Sequence, residues 1–286
     1  MRKKILITGS RGMLGEALLP LFKSYDILGI DKDNCDITDK SSLAKAIGGS
    51  KFDVVVHCAA YTDVDCAEGE SENAFLINEK GTRNVIDAAN CKECLFVYIS
   101  TDYVFDGNKK TAYTEEDAVN PLGVYGKSKL AGEKLVVKLD KHIVVRTSWL
   151  FGPNGKNFVS TIVRLAKERE AIEVVSDQIG SPTYTLDLAK AISDIINIYF
   201  TKGVTPGIYN ITNTGFCSWA EFASYIIKES GLKTEVIEIK SKQLKRKAVR
   251  PKNSTLSKEK FKTLSGYYLP NWQEAVKQYL KNYVIN

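Results

Sequence analysis

The feature that most constrains this chain is its beginning, where Ile5-Leu6-Ile7-Thr8 runs directly into Gly9-Ser10-Arg11-Gly12-Met13-Leu14-Gly15. An unbroken apolar run suits a strand buried on both faces of a parallel sheet. Glycines at three-residue spacing then let the chain turn sharply into a helix. Gly9 permits the turn, Gly12 lets backbone approach an anionic ligand, and Gly15 lets the helix pack on the strand. About 20 residues on, Tyr25-Asp26-Ile27-Leu28-Gly29-Ile30 closes with Asp31. A carboxylate at the end of a second strand can accept both hydroxyls of an adenosine ribose. Together these predict a dinucleotide site. Asp31 favours NADH, whereas Lys32 and Arg11 supply cations for a 2′-phosphate, so NADPH and NADH both remain open.

The rest of the first 150 residues keeps the same rhythm. Apolar runs Lys4–Thr8, Asp26–Ile30, Val54–Cys58, Leu95–Ile99 and Ile143–Arg146 alternate with helical patterns at Met13–Ser24, Ser42–Ile47, Glu72–Ala89 and Ser128–Leu139. Alternation of this kind predicts an α/β fold with a doubly wound, Rossmann-like parallel sheet. Beyond Phe151-Gly152-Pro153 the rhythm loosens. Helical patterns at Phe158–Lys167, Leu186–Phe200, Trp219–Ser230 and Trp272–Asn282 are separated by short strand candidates at Glu173–Val175, Ile208–Ile211 and Glu235–Ile239. Residues 1–150 therefore read as the dinucleotide-binding domain. Residues 151–286 read as mostly a smaller α+β substrate lobe, with one strand or helix returning to the main sheet.

The chain's 286 residues carry 40 basic and 34 acidic side chains, mixed along most of its length. That balance points to a small anionic ligand rather than nucleic acid. No run approaches the roughly 20 apolar residues of a membrane span. Six cysteines without a scaffold-like spacing, among them the lone Cys91-x-x-Cys94 pair, and only two histidines give no basis for a metal site. Reduced thiols and a cytoplasmic location are expected. His57 and His142 read as packed, and Trp219 and Trp272 as core. Lys240–Lys252 holds seven basic and no acidic residues. It reads as a solvated loop or as an electropositive flap, with Arg250, ahead of Pro251, its least mobile cation.

Tyr125-Gly126-Lys127-Ser128-Lys129 opens a helix, where residues four apart share a face. A phenol titrates near pH 10, and a neighbouring ammonium would lower that value toward the working range of an acid catalyst. Strand four leads into Ser100-Thr101-Asp102-Tyr103, beyond the carboxyl end of a sheet strand, where ligands of open α/β sheets bind. Thr101 is placed to hydrogen-bond a substrate carbonyl and Tyr125.

The run Ser100-Thr101-Asp102-Tyr103-Val104-Phe105-Asp106-Gly107, followed by Tyr125-Gly126-x-Ser128-Lys129 and Arg146-Thr147-Ser148-Trp149-Leu150-Phe151-Gly152, resembles the dTDP-4-dehydrorhamnose reductases. These are extended short-chain dehydrogenases. Cys58–Asp65, Asn157-Phe158-Val159, Gln178–Thr183 and Arg250-Pro251 extend the likeness along nearly the whole chain. The resemblance implies that Arg11, Met13 and Leu14 line the pyrophosphate, and that Asp31, Asp36 and Ile37 hold the adenosine. It places Ala59, Ala60, Tyr61 and Thr62 beside the cofactor and Ile99 near the nicotinamide. It has Thr101, Asp102, Tyr103, Trp149 and Arg250 meet the substrate, Tyr125 donate a proton, and Lys129 hold ribose. The implied reaction is NAD(P)H-dependent reduction of a nucleotide sugar, dTDP-4-dehydro-L-rhamnose, at C4, by a homodimeric enzyme of surface-polysaccharide synthesis. The Lys240–Lys247 segment matches no motif of that family. Two other readings are another nucleotide-sugar epimerase or reductase with the same Tyr125/Lys129 pair, and a non-catalytic cofactor-binding regulatory subunit. The presence of Thr101, Tyr125 and Lys129 speaks against the second.

Overall fold

The computed structural model describes residues 2–91, 93–203 and 205–284. Five strands of the first half, β1 (Lys4–Thr8), β2 (Asp26–Ile30), β3 (Val54–His57), β4 (Leu95–Thr101) and β5 (His142–Thr147), form one sheet with the later strand Gly207–Asn210. The spatial order is Gly207–Asn210, β5, β4, β3, β1, β2, and every pairing is parallel. β1, β3 and β4 expose almost nothing on either face, as their unbroken apolar sequences demand. One face packs Leu14, Leu18, Phe22, Leu188, Ile192 and Ile196 against Ile5, Ile7, Val56 and Val145. The other packs Ile30, Leu43, Phe52, Val85 and Val136 against Leu6, Val55, Phe96 and Val144. This is the doubly wound Rossmann-like sheet expected.

Segments of the second half do return to the sheet. Gly207–Asn210 extends it beyond β5, and the helix Thr185–Lys202 packs its apolar side into the first of those cores. A separate core gathers Phe151, Val159, Ile162, Ile172, Tyr184, Phe222, Ile226, Trp272 and Val276 from the remaining elements. There, short strands pair two by two: Ala171–Val175 with Glu235–Ile239, Leu150–Phe151 with Thr183–Tyr184, and Ile179–Gly180 with Cys217–Ser218.

Three helices differ from their sequence patterns, each for a local reason. The first is α-helical only over Met13–Leu18 and tightens to a 3-10 turn over Leu19–Phe22, where Pro20 has no amide to donate. The long Glu72–Ala89 pattern is instead Ser71–Phe75, a wide π turn over Leu76–Gly81, and Thr82–Ala88. In that turn Asn78 accepts from Tyr61 N at 2.8 Å and donates to Tyr61 O and Ser128 Oγ. Local π widening often serves a site in this way. The third helix begins earlier than expected, at Val124, and ends at Val136. Its start is capped from far away in sequence: Val124 N donates to Glu68 Oε1 at 2.8 Å.

The sheet order reverses between β1 and β3, so the loops leaving these strands diverge and open a crevice at their carboxyl ends. Gly9 stands there at φ +64°, and a side chain on it would meet Ala59 N at 2.7 Å. A Cβ on Gly15 would fall 2.2 Å from Gly9 O, so helix and turn touch backbone to backbone. Gly15→Ala is expected to destabilise the fold by about 1–3 kcal/mol, lowering Tm by roughly 3–10 °C. A thermal melt of the variant checks this, and an unchanged Tm would contradict the packing.

Candidate active site

A cavity of about 700 Å³ occupies the crevice, within the size range of cofactor and substrate clefts. One end is lined by Gly9, Gly12, Met13, Leu14 and Gly15, with Asp31, Lys32, Asp36 and Ile37 from the ends of β2 and the loop beyond it. Ala59, Ala60 and Thr62 line its middle with Ile99. Thr101, Asp102, Tyr103, Tyr125, Lys129 and Trp149 close the other end. Residues from six separate stretches of sequence thus line one cavity.

Three expected residues stand apart from that lining. Arg11 turns its guanidinium to Asp33 at 2.8 Å on the surface. Only its backbone serves the turn, donating to Asp31 Oδ2 at 2.9 Å while Lys32 N donates to Oδ1. Tyr61 directs its hydroxyl to Glu70. Arg250 is held bidentate by Asp65, at 3.1 and 2.7 Å, with its side chain 9% exposed. Ala248 N donates to the same carboxylate. Arg250 therefore fastens the basic segment to the helix Val64–Ala67, where Asp65 balances its charge, and its guanidinium also bears on the hydroxyl of Tyr103, which lines the cavity. Lys242, Lys245, Arg246 and Lys247 around it are exposed, the solvated loop of the two readings.

β4 runs two residues further than its apolar pattern, to Thr101, and the 3-10 turn Asp102–Val104 follows. Thr101 Oγ1 donates to Asp102 Oδ1 at 3.1 Å and accepts from Tyr103 N. Asp102 is 2% exposed, and burial raises its carboxyl to about 7. Tyr103 and Tyr125 meet edge to face at 5.7 Å. A Cβ on Gly126 would lie 2.2 Å from Tyr103 O, so this helix start is pressed directly on the turn after β4.

The electrostatics of the Tyr125/Lys129 pair differ from the sequence expectation. Burial pushes the Tyr125 phenol up to about 12, the Thr101 hydrogen bond draws it down, and Asp102 pushes it up again. Burial also lowers the Lys129 ammonium to about 7, opposed by Glu133 and Cys58. Lys129 Nζ sits 4.2 Å from the centre of the Tyr98 ring, and its backbone oxygen accepts from Tyr98 OH at 3.1 Å. The ammonium is thus seated on an aromatic face, and it is Thr101 that lowers the phenol. Helical spacing alone could not show this seat, because Tyr98 comes from β4.

His57 is buried, hydrogen-bonded to Thr8 and Thr82, and held neutral by burial, which lowers it to about 3. Trp272 lies in the core as read. Trp219 packs half-buried against the same core and in addition lines the cavity, stacking on Trp149 with centroids 3.4 Å apart and planes 9° apart. Trp149 itself takes a left-handed conformation, φ +48°. A side chain on Gly180 would meet its indole at 2.4 Å. The helical pattern around Trp219 hid this role, since the first residue of a helix faces its N-terminal end as readily as the core. Glu133 and Arg146, both buried, also escaped the sequence reading. Among the described residues no group of three or more His, Cys, Asp or Glu side chains gathers as a metal site.

With this geometry established, comparison with known proteins becomes decisive. The family description "RmlD substrate binding domain" matches residues 2–285. A dTDP-4-dehydrorhamnose reductase of Aggregatibacter actinomycetemcomitans is 40% identical over 286 residues, covering 96% of this chain and 97% of the relative. The chain belongs to the dTDP-4-dehydrorhamnose reductase family. The chain is also similar to the spore coat polysaccharide biosynthesis protein SpsK of Bacillus subtilis, 39% identical with 97% of both chains covered. The crystal structure of the family's reductase from Bacillus anthracis, in complex with NADP, superposes with a TM-score of 0.91. It is 40% identical, and the match covers 98% of this chain and 99% of that one.

The raised carboxyl of Asp102 has a consequence for stability. Its folded value, about 7, exceeds its ordinary 3.8, so the fold tolerates it best when protonated. That tolerance is complete below pH 4 and is lost as pH rises through 7. Asp102→Asn should therefore gain stability relative to the parent between pH 4 and 7, by up to about 4 kcal/mol. Thermal melts of both proteins across this range test it, and a pH-independent difference would refute it.

Proposed function

We propose that this chain reduces the 4-keto group of dTDP-4-dehydro-L-rhamnose to give dTDP-L-rhamnose, using NADPH or NADH, in nucleotide-sugar and surface-polysaccharide synthesis. The observation that carries this reading is the convergence of Thr101, Tyr125 and Lys129 at one end of a cavity whose other end is the Gly9–Gly15 turn. Full-length relatives at 35–40% identity bear the reductase name. The turn fits a dinucleotide: Gly9 and Gly15 let strand, turn and helix pack backbone to backbone, and Gly12 leaves the cavity wall there free of a side chain. When bound, the reduced nicotinamide supplies the hydride.

The remaining chemistry belongs to the protein. At neutral pH the Tyr125 phenol, raised to about 12, holds its proton. It is in the form required to deliver that proton to the oxygen of a carbonyl undergoing reduction. Thr101, turning its one hydroxyl proton from Asp102 to Tyr125, stabilises the phenolate left behind. Lys129, on the same helix face one turn further on, supplies a donor for a ribose hydroxyl. Trp149, fixed by its stack on Trp219, presents an indole at the sugar end. At the adenosine end Asp31 is oriented by two backbone amides, and Asp36, Ile37 and Lys32 lie beside it. With Arg11 engaged by Asp33, Lys32 is the cation that decides between a ribose hydroxyl and a 2′-phosphate. The reading includes a homodimer in the cytoplasm, the former checked by light scattering of the purified protein. No helix among the described residues is long and apolar enough to cross a membrane.

The test is direct. Purified protein with NADPH or NADH and enzymatically made dTDP-4-dehydrorhamnose should oxidise the cofactor and yield dTDP-rhamnose. No oxidation with either cofactor overturns the proposal. Tyr125→Phe should lower kcat at least about a hundredfold with little change in cofactor affinity, since only the proton donor is removed. Near-normal turnover would exclude this phenol as the acid. Lys32→Glu should weaken NADPH binding at least about tenfold while sparing NADH, because a carboxylate there opposes the 2′-phosphate. Equal effects on both cofactors would place the 2′-position elsewhere.

A further inference from the structure

Tyr125, Lys129 and Glu133 fall four residues apart on the helix Val124–Val136, so all three share one face. The first two line the cavity. Glu133 lies deeper, 2% exposed, where a carboxylate needs strong compensation. It has it from two strands at once. Arg146 of β5 donates through Nε at 3.1 Å and Nη2 at 2.9 Å, a two-pronged ion pair with both side chains 3% exposed. Ser100 of β4 donates its hydroxyl. Ser100 and Arg146 are direct cross-strand partners, one residue before Thr101 and Thr147, which also pair and both reach the cavity. Arg146 is itself fixed over the Phe105 ring, 5.1 Å from its centre. One carboxylate thus ties the helix that carries Tyr125 to the two strand ends that carry Thr101 and Thr147.

We propose that Glu133 is a positioning residue for the reductase reaction, a clamped carboxylate that acts through Lys129 one helical turn away. The proposal rests on the reductase reading and deepens it. A buried ammonium needs a nearby negative charge to remain charged, and Glu133 is the foremost group supplying it. Cys58, the second group that acts on Lys129, does so only as a thiolate, and the remaining neighbours do not. His57, ahead of the loop leaving β3, is held neutral by burial. Cys58 is pushed up to about 12 and stays a thiol at neutral pH. Tyr98 on β4 and Tyr125 on the same helix are raised phenols. Asp102 acts on Tyr125 and Tyr103 from the turn beyond β4. The bidentate clamp keeps the Glu133 carboxylate from swinging toward Lys129 or away from it. What the ammonium experiences is a fixed charge at a fixed place.

The test separates charge from scaffolding. Glu133→Gln keeps the size and one acceptor but leaves Arg146 buried without its counter-charge, which threatens the fold. The companion is therefore Glu133→Met with Arg146→Met, since apolar replacement of a whole buried pair is often tolerated. In both variants the alkaline limb of the kcat profile should move to lower pH by about one unit. At pH 8 that is a loss of about tenfold in rate, as the charged fraction of Lys129 falls by that factor. A double variant that folds with a parental pH profile would show the pair to be scaffolding only and overturn the proposal. The second readout needs no turnover. The Lys129 amine, reductively methylated with ¹³C-formaldehyde and followed by NMR, should titrate about one unit lower in the double variant. An unchanged titration refutes the role of Glu133 even if the reductase assay fails. A shifted titration in a protein inactive on dTDP-4-dehydrorhamnose would instead uphold the coupling and discard the substrate.

Discussion

The site depends on direct contact between the helix Val124–Val136 and the strand β4 beneath it. Gly126 lies against the carbonyl of Tyr103, and a Cβ on Gly132 would fall 2.2 Å from the Tyr98 hydroxyl. Neither glycine is spent on an unusual backbone angle; each is spent on proximity. Because the helix sits so low, the phenol of Tyr125 reaches the turn that carries Thr101 and Asp102, and the ammonium of Lys129 rests on the Tyr98 ring. Larger residues at these two positions would lift the helix and separate groups whose chemistry requires contact.

That close approach brings polar groups into a dry interior, and the surrounding structure absorbs the consequence. Burial raises Asp102 and lowers Lys129, drawing together two proton affinities that differ widely in water, while it raises the Tyr125 phenol away from both. Asn78, Ser128 and the backbone of Tyr61 form a second polar seam on the same helix, and the π turn exists where that seam demands an extra residue. Glu68 caps the helix from the end of the short helix Val64–Ala67. The helix is therefore anchored at its start, at its middle and, through Glu133, near its end. A rigid platform of this kind suits a reaction in which hydride and proton arrive from different partners.

Much of this was legible in the chain itself. The apolar runs of β1, β3 and β4 announce a sheet buried on both faces, and the glycines after β1 announce a turn that admits no side chain. The run from Ser100 to Gly107 marks the reductase family more sharply than the glycines do. Side-chain direction was less legible. Arg11 and Arg250 have the right charge for an anionic ligand, yet Asp33 and Asp65 claim them, and those partners lie 22 and 185 residues away. Trp219 sits on an amphipathic pattern that reads as core, while its indole completes the cavity by stacking on Trp149.

Local periodicity, turn chemistry and residue type laid down most of the elements, their order and the residues that carry reactive groups, though not the π turn Leu76–Gly81 or the short strand pair Leu150–Phe151 and Thr183–Tyr184. The charge state and orientation of those groups came with the packing of distant segments. Burial depth, ion-pair partners and aromatic seats arise from residues distant along the chain, and no local pattern encodes them. The pairing of Lys129 with the Tyr98 ring, and of Glu133 with Arg146, becomes visible only once β4, β5 and the helix above them are stacked.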